Sequence, residues 1–185
     1  MVNRSKMGAT ISKGESLVQH DLNRGLEADY ALVAYGGNDS DYDWAAIDAD
    51  PAGNHHPRTE LPAFREKLRH TVTMLRERGI QPVLMSLPPI DAARYLAFIC
   101  RDGLRKERIM DWLGDVQMIY RHQEMYSDAV TQLAYAEGLP LIPVREEFLN
   151  DHRLMRLIAA DGIHLTMPGY ERLFDTLADW LRMRV

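Results

Sequence analysis

The sequence predicts an α/β fold in which a parallel sheet is covered by helices, and three observations carry that prediction. Short apolar runs, too brief for buried helices, recur at 29–34, 80–86 and 139–143. Between them lie longer stretches with apolar residues at three- and four-residue steps, the signature of helices with one buried face. Strands alternating with such helices build parallel sheets, because each crossover returns the chain to the same edge. The totals agree: 185 residues suit a single domain with a real core, and 46% apolar against 26% charged residues is globular composition. A formal charge of −5, without a long basic run, excludes a nucleic-acid surface. Cys100 is the sole cysteine, so it is expected as a packed apolar side chain and no disulfide can form within the chain. With no long apolar span or signal pattern in the sequence, the expectation is a soluble, cytoplasmic protein without membrane partners.

Taken in order, the segment around Gly14-Glu15-Ser16-Leu17 reads as helical. Asp29 to Ala34 reads as a strand buried on both faces, stopped by Tyr35-Gly36-Gly37. The stretch from Asp39 to Pro57 is long for a connection and is expected to be an irregular loop. Thr59 to Arg78 is a helix with Leu61, Phe64, Leu68, Val72 and Leu75 on one face and Gly79 as its stop. Ile80 to Ser86 is the next strand, ended by Pro88-Pro89. Two short helices follow, Asp91 to Cys100 and Arg105 to Leu113, then a longer one from Ile119 to Glu137. Leu139 to Pro143 is a short third strand. Thr166 caps a last helix with Pro168 in its first turn and Tyr170, Leu173, Phe174, Leu177 and Leu181 along one side. Parallel sheets bind ligands beyond the carboxyl ends of their strands, which is where Gly36-Gly37-Asn38 and Ser86-Leu87 fall.

Two motifs carry the chemistry. In Asp161-Gly162-Ile163-His164, a carboxylate three residues before an imidazole can fix its tautomer and leave the other ring nitrogen as a base. In Gly36-Gly37-Asn38-Asp39, a side-chain amide follows two glycines at a strand end, where it can donate to a developing oxyanion. Each motif alone is equally good turn chemistry. A third segment, Val2 to Thr10, offers a backbone N–H at Gly8, thirty residues before Asn38.

Together, and in this order, these segments resemble the second, third and fifth blocks of the SGNH, or GDSL-like, hydrolases. The resemblance runs from Val2 to Leu181 and implies a three-layer α/β/α, flavodoxin-like fold. It implies a serine esterase or acylhydrolase acting on an O-acyl ester of a small molecule or carbohydrate. Asp161 and His164 would be the acid and base, Asn38 and Gly8 oxyanion donors, and neither a metal nor an organic cofactor is implied. The family's first block, Gly-Asp-Ser-Leu after the first strand, has no counterpart here, so the nucleophile is unassigned. Gly14-Glu15-Ser16-Leu17 imitates it but follows Gly8 and lies within a helix; Ser5 matches no nucleophile motif.

With Gly8 so close to the start, the resemblance implies a single domain, 1–185, that is N-terminally incomplete and lacks the first two strands of a five-stranded sheet. The strand around Leu32 would then be an open apolar edge, a helix face would lose its cover, and association of copies through that edge is expected. The chain is then either a shortened active enzyme or a catalytically incomplete domain of the same fold. A nucleotide- or flavin-binding reading lacks the glycine-rich loop that opens a helix. The acidic stretch Asp39, Asp41, Asp43, Asp48 and Asp50 lacks calcium-loop spacing and is expected to be solvated. His55 and His56 have no partner cluster for a metal and would at most touch substrate. Tyr42, Trp44, Tyr95, Phe98, Trp112 and Met118 read as core first and as walls of an acyl pocket second.

Overall fold

A computed structural model describes residues 2–183. Among them the order is α1 (Ile11–Asn23), β1 (Tyr30–Val33), α2 (Trp44–Ala49), α3 (Leu61–Arg76), β2 (Gln81–Met85), α4 (Ala92–Ile99), α5 (Lys106–Leu113), α6 (Gln117–Ala136), β3 (Leu141–Ile142), α7 (Val144–Leu149) and α8 (Met167–Arg182). The three strands form one sheet in the order β1-β2-β3, and β1 runs parallel to β2 with Leu32 opposite Val83 and Val33 opposite Leu84. Pro82 sits inside the central strand without breaking the ladder. The Gln81 N–H donates to Asp29 on the β1 side and the Leu84 N–H to Pro140 on the β3 side. Alternation therefore points the missing donor of Pro82 toward β3, upstream of where that two-residue strand begins.

The chain divides into two compact units. The first takes in the chain up to Asp41, His56–Leu87 and Met125–Leu141. Its core gathers Ile11 and Leu22 of α1, Phe64, Leu68, Val72 and Leu75 of α3, Val33 and Leu84 of the sheet, and Tyr126, Val130 and Leu133 of α6. The α3 residues recur at the helical period that the sequence displays, and burying each stabilises the unit by about 1.5–3 kcal/mol. The Phe64 and Tyr126 rings lie 5.1 Å apart, and the Tyr126 hydroxyl donates to the Thr59 carbonyl at 2.6 Å. The second unit takes in Tyr42–His55, Pro88–Glu124 and the chain from Ile142 onward. Its core joins Trp44 and Ile47 of α2, Tyr95 and Leu96 of α4, Ile109 and Leu113 of α5, and Ile119 at the start of α6. Cys100 packs against this cluster, as a small apolar residue would.

Three expectations need correction. First, β1 is buried on one face only: Val33 is inside, whereas Tyr30 and Leu32 are 50% and 49% exposed. Those two side chains share one face of the strand, and β1 is also the end strand of the sheet. The open apolar edge expected around Leu32 is therefore present, and α8 likewise leaves Phe174 63% exposed. Second, the stretch from Asp39 to Pro57 is not wholly irregular, since it contains α2. Asp43 caps that helix by accepting from the Ala46 N–H at 3.0 Å, and Trp44 and Ile47 anchor it, a three-residue apolar step hidden among aspartates. Third, the aspartates there are not uniformly solvated, although Asp43 and Asp50 are exposed as expected. Asp39 is fully buried, and Asp48 takes a two-pronged ion pair from Arg105 at 3.0 Å on each oxygen. Helix α7, absent from the sequence reading, buries Val144 and Phe148 one turn apart.

Candidate active site

Two of the four residues singled out meet in the second unit. After α7 and a short turn at Leu154–Arg156, the chain makes a small hairpin. Ile158 bridges Leu165, the Ala159 N–H donates to the His164 carbonyl at 2.8 Å, and the Thr166 N–H donates to the Leu157 carbonyl at 2.9 Å. At its tip a turn closes from the Gly162 N–H to the Ala159 carbonyl at 3.0 Å. Gly162 has φ +81°, a conformation that only glycine adopts without strain. That twist folds the Asp161 carboxylate back over its own backbone. One oxygen accepts from the N–H groups of Ile163 and His164 at 3.0 and 2.9 Å. The other meets His164 Nδ1 at 2.7 Å.

Three donors on one carboxylate have an electrostatic result. Burial pushes the Asp161 carboxyl up, but the amide and ring of His164 and the Ile163 amide outweigh it, and the group sits below the ordinary range. An ionised Asp161 holds the proton of His164 on Nδ1. Nε2, across the ring, is then the nitrogen with a lone pair, on a side chain 64% exposed. Helix α8 starts immediately afterwards, with the Thr166 hydroxyl accepting from the Gly169 N–H and donating to the Arg156 carbonyl. Held this way, the pair can accept a proton at Nε2 and carry the resulting charge beside a carboxylate.

Asn38 and the Gly8 segment meet in the first unit. The Asn38 Nδ2 donates to the Ala9 carbonyl at 3.2 Å, which ties the asparagine to the residue after Gly8. A second N–H on that nitrogen remains available for an oxyanion. Gly8 turns at φ +69° in a segment otherwise exposed, so its N–H is at the surface. The neighbour Asp39 does the positioning that the sequence reading missed. Its two oxygens take the Ile11 N–H at 2.9 and 3.1 Å, so it caps α1 from outside while Thr10, at the cap position, makes no side-chain capping bond. Burial pushes the Asp39 carboxyl up, only partly offset by hydrogen bonds from Ile11, Thr59 and Gly36. The signal available in the sequence was its place directly after Asn38.

The serines at 16, 40 and 127 are each committed to other bonds. Ser16 lies within α1 with its hydroxyl spent on the Ser12 carbonyl at 3.0 Å. Ser40 is buried and donates to Gly37, and the buried Ser127 hydroxyl accepts from the Leu87 N–H. The stretches that form the second unit, which holds His164, contain no serine. Cys100 does not substitute, since burial pushes its thiol up and away from the reactive thiolate. Among the described residues no group of three or more acidic, histidine or cysteine side chains could hold a metal ion, and no helix is long and apolar enough to cross a membrane. Tyr42, Trp44 and Trp112 pack edge to face with centroids 4.9–6.4 Å apart, within the second unit's core rather than as an open wall.

Comparison with known proteins bears on the family and the fold. The chain is 23% identical over 118 residues to the isoamyl acetate-hydrolyzing esterase of Saccharomyces cerevisiae, covering 63% of this chain and 46% of that one. It therefore spans about half the length of that relative. Among solved structures, a lipase/acylhydrolase from Enterococcus faecalis superposes with a TM-score of 0.64 at 21% identity, over 96% of this chain and 72% of the other. A variant of an acetyl xylan esterase from Geobacillus stearothermophilus gives 0.68 at 16% identity, over 97% and 71%. These likenesses establish the α/β fold with its parallel sheet. The model of the GDSL-like lipase/acylhydrolase family matches residues 1–172, nearly the whole chain, and the chain belongs to that family.

Proposed function

We propose that this chain carries the base, orienting acid and oxyanion asparagine of an ester hydrolase that cleaves an O-acyl ester of a small molecule or carbohydrate. The observation that carries this reading is the Asp161–His164 pair, closed at 2.7 Å and fixed by two backbone amides, in a chain of an acylhydrolase family. In the reaction, His164 Nε2 takes the proton of a serine hydroxyl as its oxygen attacks the ester carbonyl. The proton is then passed to the departing alkoxide, and the acyl-serine is hydrolysed by a water that the same nitrogen deprotonates. Asn38 and the Gly8 N–H donate to the tetrahedral oxyanion, a contribution of ~3–4 kcal/mol per good donor. Relatives point the same way: catalytic variants of the acetylxylan esterase of Geobacillus stearothermophilus carry alanine in place of a serine or an aspartate. The substrate stays at the level of a small acyl ester, since the named relatives act on isoamyl acetate and acetyl xylan. A cytoplasmic site of action belongs to this reading, supported by a single unpaired cysteine.

A second reading, a catalytically incomplete domain of the same fold, is favoured by the serines themselves. Those at 16, 40 and 127 are committed to helix, loop and strand-end hydrogen bonds. Hydrolysis of p-nitrophenyl acetate by the chain and by its His164→Ala variant separates the two. Turnover that His164→Ala abolishes supports the hydrolase; equal background rates in both support the incomplete domain. Either form exposes Leu32 on the edge of β1, and we propose that copies associate there. Sedimentation should show a self-associating species that Leu32→Lys shifts toward monomer, and a clean monomer for the parent chain would count against it.

A further inference from the structure

The loop that presents His164 is held against α4 by bonds to the carbonyls of Gly162, Ile158 and Met155. Both ends are gripped by the first turn of α4. At the tip, the Asp91 N–H donates to the Gly162 carbonyl at 2.8 Å. The fit there leaves no room: a Cβ on Gly162 would lie 2.5 Å from the Tyr95 nitrogen, 2.6 Å from the Asp91 oxygen and 3.0 Å from Arg94 Cβ. At the base, Arg94 Nη1 donates to the carbonyls of Ile158 and Met155 at 2.9 and 3.1 Å. Asp91 completes the arrangement. One oxygen caps α4 through the N–H groups of Ala93 and Arg94 at 3.0 and 3.1 Å, and the other lies 3.4 Å from Arg94 Nε.

We infer that Arg94, oriented by Asp91, is a positioning residue that holds the Asp161–His164 hairpin in its productive shape, an assignment that rests on the hydrolase reading of that pair. The physical reason is the number of soft torsions between the two grips. Within the hairpin from Ile158 to Leu165, the bridge, the Ala159 N–H bond to the His164 carbonyl, the turn at Gly162 and the Asp161 carboxylate tie the loop to itself, and the outer grips bring so short a loop to the tolerance that proton transfer needs. A guanidinium is suited to the task because its planar fork reaches two carbonyls at once, whereas an ammonium would hold one at a time. No bond joins the Arg94 guanidinium to the imidazole, so its effect is carried through the Ile158 and Met155 backbone.

The test is ring-nitrogen NMR of His164 in the intact chain at alkaline pH, where neutral imidazole reports which nitrogen holds the proton. Asp161→Asn supplies the reference for a ring released from its carboxylate. Arg94→Met should move the His164 nitrogen shifts at least half-way toward that reference, while His152, outside the hairpin, stays put. Arg94→Lys, which keeps the stem packed, should fall between Arg94→Met and the parent. Where ester turnover is measurable, kcat should fall ~10- to 100-fold with KM nearly unchanged, the effect of a small misplacement. Nitrogen shifts identical to the parent in both variants overturn the inference, whatever the activity. Absence of turnover in the parent chain bears on the hydrolase reading alone, because the nitrogen shifts require no reaction.

Discussion

Replacing Asp39 by alanine is the sharpest stability test that the fold offers, because so much rests on a carboxylate next to an active-site candidate. Asp39 is fully buried and its oxygens take the first N–H of α1, while the Thr59 side chain also bonds to it. Alanine leaves those donors without an acceptor in a buried place, at about 1–3 kcal/mol each. It also removes a negative charge from a helix N-terminus, worth ~0.3–1 kcal/mol. Against this stands relief from burying a carboxylate, which is what holds the Asp39 carboxyl above its ordinary range. The net cost comes to about 3 kcal/mol, or roughly 6–12 °C in melting temperature for a chain of this size.

The assay is thermal unfolding followed by circular dichroism, with Asp39→Asn alongside. The asparagine keeps one acceptor oxygen and should cost about 1 kcal/mol, the typical worth of a cap. The pH dependence fixes the sign. A carboxyl raised in the folded state gives stability that is fully present below its unfolded value, about 3.9, and is lost as pH rises through the higher folded value. The gap between parent and Asp39→Asn should therefore widen on acidification toward pH ~4. An Asp39→Ala protein melting within ~2 °C of the parent would refute the capping argument. A gap that widens with rising pH would refute the electrostatic one.

Two further outcomes follow from the same contacts. Gly14→Ala should destabilise by ~1–2 kcal/mol even though alanine is the better helix former by about 1, since a Cβ there overlaps the Tyr35 ring; chemical denaturation reads it directly. Glu15 has the opposite pH signature to Asp39. Burial pushes its carboxyl up, but hydrogen bonds from His70 at 2.6 Å and Lys67 at 3.0 Å outweigh that and leave it low. Its contribution is present above the unfolded carboxyl value and is lost as pH falls through the lower folded one. Glu15→Gln should thus approach the parent's stability only in acid, and a gap unchanged between neutral and acid pH would exclude the ion-pair explanation.

How much of this was legible in the sequence depends on whether the information is local. Helix α3 and the capped start of α8 were readable because their signals, an apolar period and a Thr166 followed by Pro168, lie within the elements themselves. The pairing of Asp161 with His164 was readable for the same reason, since residues three apart on one turn lie within reach of each other. Helix α2 was not, because its anchors Trp44 and Ile47 are outnumbered by aspartates whose partners, such as Arg105, are distant in sequence. The burial of Asp39 was hidden likewise, since its partner at Ile11 lies 28 residues away. The open edge of β1 needed the strand order, which places it at the sheet's end, and its half-exposed face needed the packing around it.

The same division between local and distant information explains the false nucleophile motif. Gly14-Glu15-Ser16-Leu17 matches a short pattern, yet each of its first three residues has a separate structural cause. Gly14 is small because the Tyr35 ring lies against it, Glu15 is acidic beside Lys67 and His70, and Ser16 returns its hydroxyl to the helix backbone. A catalytic serine needs the reverse, a hydroxyl presented from a strained turn with donors beside it. Inside a regular helix the backbone N–H groups are already bonded, so no oxyanion could be received there. By contrast Asp161-Gly162-Ile163-His164 is not explained by its own packing alone. Gly162 answers to α4, but the 2.7 Å contact between Asp161 and an exposed imidazole adds little stability that the two backbone amides on that carboxylate do not already supply. The functional reading proposed above therefore stands on His164, whose outer nitrogen faces away from that carboxylate.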